Sequence, residues 1–147
     1  MPITLNGSGT ITPTSAVQPA GSILQIVQEA QTGQTSESVG ASPALSGDLI
    51  SKAITPSATS SKILVRAMLI VGISDDKQVF TQLFKDGSAI ANAKGITATN
   101  RQMISGGVYI TSVGRIGMIT HEFLDSPNTT SSVTYSYRFS HDSNSSK

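Results

Sequence analysis

Residues 62–73, KILVRAMLIVGI, constrain the fold more than any other stretch of this chain. Read with a period of two, Ile63, Val65, Ala67, Leu69 and Val71 share one face, and Leu64, Met68 and Ile70 leave the opposite face mostly apolar as well. β-Branching and the short run argue for a strand over a helix. Arg66 interrupts the run, which is too short to span a bilayer. A strand that is apolar on both faces is normally covered on both sides. Two arrangements meet that demand. The strand is central in a small sandwich and partly covered by a loop, or its outer face, Leu64, Met68 and Ile70, meets a neighbouring subunit.

The remainder of the chain reads as short strands separated by turns. Residues 2–14 form an extended arm whose apolar points are Ile3, Leu5 and Ile11, broken by Gly7-Ser8-Gly9. Residues 12–20 (TPTSAVQPA) follow as a linker that cannot sustain a ladder, because Pro13 and Pro19 lack donors. Residues 22–28 (SILQIVQ) read as the first convincing strand, 32–46 as a long loop and 49–54 as a weak strand. Residues 79–85 and 89–93 flank a hairpin turn at Lys85-Asp86-Gly87-Ser88. Residues 103–113 and 115–124 are two strands joined near Gly114. Pro127 and Asn128 punctuate the next turn. In residues 133–141 (VTYSYRFSH) Val133, Tyr135, Tyr137 and Phe139 share a face, which makes Tyr137 an expected core residue. About eight short strands with turn signals between them predict an all-β sandwich or jelly roll.

A chain of 147 residues accommodates one such domain, here residues 21–147 behind an arm and linker at 1–20. Charged residues make up 13% of it, against roughly 25% in ordinary soluble domains. Ser and Thr supply about a quarter, so hydroxyls rather than ions carry the polarity. With so few charges, buried subunit contacts are the expected means of staying soluble. The net charge is +1 and no Lys/Arg cluster occurs, which speaks against nucleic acid as a partner. The absence of cysteine excludes disulfides and thiolate metal sites. The opening MPITLNGSGTIT does not read as a secretory signal. A protein made in the cytoplasm and not inserted in a membrane is expected.

No constellation carries catalysis. His121 and Glu122 are adjacent in a strand and so point to opposite faces. His141 stands at a strand end, and no nucleophile elbow occurs. A three-fold axis could gather three copies of one histidine around a metal, but a solvated surface histidine is the expectation. Asp75, Asp76 and Asp125 read as turn caps, without the carboxylate density of a calcium loop. Gly7-Ser8-Gly9-Thr10 lacks the lysine and helix of a phosphate cradle. The sequons at Asn6, Asn128 and Asn144 are chance matches in a Ser/Thr-rich chain. Tyr135, Tyr137 and Phe139 read as core rather than as a sugar platform. A carbohydrate-active enzyme would need a carboxylate pair on a shared face. No catalytic residue, metal ligand or cofactor is therefore assigned.

Several stretches resemble one family. ITLNGSGTIT (residues 3–12) and PAGSILQIVQ (19–28), then ITPSATSSKILVRA (54–67), LFKDGSAIA (83–91) and FLDSPNTTSSVTYSYRF (123–139) occur in that order over most of the chain. Together they resemble virion fibre and adhesin-like proteins of tailed phages of aquatic bacteria, including cyanobacteria. ITPSATSSKILVRA and FLDSPNTTSSVTYSYRF are the specific ones when taken together. The resemblance implies a trimeric jelly roll of the tumour-necrosis-factor type, attached to a phage tail or head, with no catalytic residues. Members usually continue for a strand or two beyond the equivalent of residues 141–147, so either the arm or a neighbour is expected to supply the last strand, or the roll is trimmed. The expected function is a virion structural subunit. It is a short tail fibre or fibre tip contacting a host surface glycan or protein, with capsid decoration as the alternative and a carbohydrate-binding module as a further one. The expected partners are two further copies, through Leu64, Met68 and Ile70, and a phage platform protein, through Ile3, Leu5 and Ile11. No residue is singled out for receptor contact.

Overall fold

The computed structural model describes residues 22–34, 36, 45–74, 76–95 and 103–142. Within them lie seven strands: β1 (Ile50–Ile54), β2 (Ile63–Gly72), β3 (Lys77–Lys85), β4 (Ser88–Ala89), β5 (Gly106–Ile110), β6 (Ile116–Asp125) and β7 (Val133–His141), with a 3-10 turn at Ala91–Ala93. Every pairing is antiparallel. One sheet runs β1-β7-β3, and β4 and β5 share the remaining edge of β3. The other sheet is the ribbon β2-β6, in continuous register from Ile63 opposite Asp125 to Gly72 opposite Ile116. The all-β sandwich expected from the strand pattern is the observed architecture.

The period-two patterns decide what lies between the sheets. Val133, Tyr135, Tyr137 and Phe139 of β7 are buried together, with Tyr137 only 4% exposed. Val79 and Leu83 of β3 join them from the same sheet, and Ile63, Leu69 and Ile119 from the ribbon. Near one end of the ribbon the layers come close. A Cβ added to Gly117 of β6 would stand 2.7 Å from the Val108 side chain of β5, so only glycine permits this approach. The hairpin after β3 is a two-residue loop with Asp86 at φ 49° and Gly87 at φ 77°, the positive angles that a twist-matched turn requires. Asp86 also accepts the Thr134 amide through Oδ1 at 2.8 Å, which ties the turn to β7.

The outward side of β7 is covered as well. Ser136 and Ser140 are buried. Asp48 accepts from Ser136 Oγ at 2.9 Å and from Arg138 Nε at 2.6 Å, and the Arg138 guanidinium lies 4.1 Å over the Phe84 ring. The hydrogen bond from Arg138, helped by Ser136 and the guanidinium charge, outweighs burial and lowers the Asp48 carboxyl below its ordinary range.

Three expectations are corrected. Residues 22–28 lie in no strand, and their apolar side chains face solvent. Strand propensity describes fitness for a pleated surface, and the described chain offers this segment no ladder. The return strand expected at residues 89–93 pairs only through Ser88–Ala89, after which the chain turns to bury Ala93. The strand expected from residue 103 starts at Gly106. The arm with Ile3, Leu5 and Ile11, and the boundary at residues 20 and 21, lie outside the described residues.

Candidate functional site

The ribbon β2-β6 places its even-numbered residues on the side away from the core. Its register sets them in rungs: Leu64 against Leu124, Arg66 against Glu122, Met68 against Thr120, Ile70 against Met118, and Gly72 against Ile116. Leu64, Met68, Ile70, Ile116, Met118 and Leu124 are between 55% and 75% exposed. Six large apolar side chains therefore share one face, divided by the Arg66–Glu122 rung, with none of the described residues upon it. Soluble monomers rarely present such a patch, and where one occurs it marks a contact surface. An open depression at the middle of the ribbon is lined by residues of both its faces, Arg66, Met68, Thr120 and Glu122 with Ala67 and His121.

One ion pair crosses the face, Arg66 Nε to Glu122 Oε2 at 2.9 Å. Both side chains are largely exposed, so in a lone chain the pair contributes little, about 0–1 kcal/mol. Under a covering partner it would have to be matched or lose its hydration, so it acts on register more than on affinity. Fully burying a large apolar side chain yields about 1.5–3 kcal/mol. Six that are already partly sheltered offer roughly 6–12 kcal/mol in all. Association costs about 4–15 kcal/mol in lost freedom. The face can therefore support a contact but does not by itself make a tight one.

The interior side of the same ribbon carries two polar groups. His121 projects inward, and its Nδ1 shares a hydrogen bond with the Tyr137 hydroxyl at 2.7 Å, the two rings edge to face. Burial lowers the imidazole below its ordinary pKa and raises the phenol, so the pair is neutral. At the ribbon's end Asp125 is buried, and its Oδ2 accepts from Tyr135 Oη at 2.5 Å and from Lys85 Nζ at 2.9 Å. Burial raises this carboxyl, but the hydrogen bonds from Tyr135 and Lys85 and the lysine charge outweigh it, and the net shift is downward. Both groups tie the ribbon to the other sheet.

The expected contact residues Leu64, Met68 and Ile70 do lie together on the exposed face. The sequence reading missed Ile116, Met118 and Leu124, which continue that face. His121 is corrected from a solvated histidine to a half-buried one bonded to Tyr137, so it does not stand on the exposed face. Glu122 points the other way, to Arg66. Asp125 is corrected from a turn cap to a buried acceptor. Among the described residues no group of three or more His, Cys, Asp or Glu side chains is placed to hold a metal. No helix among them is long and apolar enough to cross a membrane. No protein-family model, curated protein or solved structure matches this chain.

Proposed function

We propose that this chain is a non-enzymatic structural subunit of a phage particle, a short tail fibre or fibre tip that works as a homotrimer. The observation that carries the reading is the apolar face of β2-β6, six exposed side chains that a lone soluble chain has no use for. A cyclic assembly covers such a face in each copy by the same contact. The low charge and the resemblance of the Ser-Lys-Ile-Leu-Val strand and the Leu-Asp-Ser-Pro turn to phage fibre proteins support the same reading, as does the two-layer antiparallel sandwich. The trimer is of the jelly-roll type, and the arm with Ile3, Leu5 and Ile11 docks on a platform protein by adding extended backbone to a sheet edge. The host surface, a glycan or protein, is met by the rest of the subunit.

The experiment is to raise antibodies against the purified chain and label intact particles. Gold at the tail or its tip, with particle attachment blocked, is the expected result. Label spread over the head makes it a decoration protein instead, and particles free of the chain overturn the structural role.

A further inference from the structure

We propose that residues 22–28 of one copy add as an edge strand to β2 of the next copy, so that the subunits exchange strands around the symmetry axis. This rests on the homotrimeric reading above. The segment SILQIVQ joins no sheet or helix, and it leaves Ile23 79% and Ile26 80% exposed, with Leu24 and Val27 exposed beside them. An extended chain sends Ile23 and Val27 to one side and Leu24 and Ile26 to the other. The segment is thus apolar on both sides, and a strand of that kind needs cover on both.

β2 presents the complementary surface. Among the described residues it pairs on one side only, with β6, in a two-stranded sheet. A ribbon of two strands is marginal alone and gains from a third. On its inner side β2 holds core residues Ile63 and Leu69, and on its outer side the exposed row Leu64, Met68 and Ile70. A strand laid on its free edge would satisfy the edge amides and carbonyls. It would also set one apolar row against the core and the other beside Met68 and Ile70. The outer row of β6 is interrupted twice, by Thr120 and Glu122, and that of β2 once, by Arg66, so β2 is the better acceptor.

The single chain does not make this pairing, since donor segment and acceptor face are both exposed in it. Just beyond the segment, Glu29 is held by Lys52 of β1 at 3.0 Å. The donor therefore leaves its subunit from the five-stranded sheet, whereas the acceptor belongs to the ribbon. Donor and acceptor are different surfaces, so the contact is head to tail, and the three-fold rotation of the homotrimeric reading closes it as a ring. The four added side chains supply the apolar area that the β2-β6 face lacks for a tight contact.

The chain has no cysteine, so engineered ones report cleanly. Chains carrying Gln25→Cys or Ile26→Cys, which lie on opposite sides of the segment, are each co-expressed with chains carrying Met68→Cys and then oxidised. The expected result is a cross-link between different chains from one of the two donors. The paired variant Ile23→Asp/Ile26→Asp is expected to weaken assembly at least a hundredfold and to leave the sandwich folded by circular dichroism. If the wild type is trimeric but neither donor cross-links in trans, strand exchange is overturned while the trimer stands. A cross-link formed only within one chain, in a variant carrying both cysteines, overturns it too. A monomeric wild type removes the trimer itself.

Discussion

Replacing Asp125 by Asn tests how the ribbon is fastened to the larger sheet. The two residues have the same shape, so the change removes charge and one acceptor without opening a cavity. In the native protein Asp125 Oδ2 accepts from Tyr135 Oη at 2.5 Å and from Lys85 Nζ at 2.9 Å. Both bonds go to the one oxygen Oδ2, and the amide oxygen of Asn can take its place, so both are kept but lose the charge of the acceptor. A hydrogen bond to a charged group contributes about 1.5–3 kcal/mol and a neutral one about 1 kcal/mol. The Lys85 side chain is 30% exposed, which holds its share at the low end. The loss of charge from the two bonds sums to about 1–2 kcal/mol, or roughly 3–7 °C in Tm.

The effect has a pH signature. The folded carboxyl lies below its ordinary value of 3.8. A depressed folded pKa means that the stabilisation is fully present above the unfolded value and is lost as pH falls through the folded one. Thermal melts of both proteins at one fixed concentration, at pH 7 and in steps below pH 4, should show the full gap at neutrality and a closing gap in acid. A gap below about 0.5 kcal/mol at pH 7, or one that does not change with pH, refutes the fastening role.

Two further perturbations follow from the packing. Tyr137→Ala removes a core ring and its bond to His121, and urea melts should show a loss of about 3–5 kcal/mol; an unchanged midpoint would mean that the ring does not fill the core. Gly117→Val forces a side chain into space that Val108 already occupies, 2.7 Å from the new Cβ, and should cost about 1–3 kcal/mol by the same measurement; a neutral result would mean that the layers can part there without loss.

How much of this was legible in the sequence depends on the range of the cause. β7 was read with its observed bounds, Val133–His141, because one clean alternation and a buried face coincide there. β2 was equally plain, and its doubly apolar pattern already placed Leu64, Met68 and Ile70 on an outer face. The β6 half of that face was not legible. Ile116 and Met118 compete with Ile119 and Phe123 for the inward side, and only the long-range register with β2 decides which parity faces out. Asp125 reads locally as part of a Leu-Asp-Ser-Pro turn. Its partners, 40 and 10 residues away, are set by how β3 and β7 lie against the ribbon. In residues 22–28 strand propensity was evident, but propensity does not name the strand that will pair.

The claim on which the account stands is that the β2-β6 face is a contact between copies. Light scattering coupled to size exclusion, at micromolar concentration, measures this directly. Three chains of 15.3 kDa predict a particle of about 46 kDa that falls to the single-chain mass when Met68 and Ile70 are both changed to Lys. A wild-type protein that elutes stably at 15.3 kDa contradicts it.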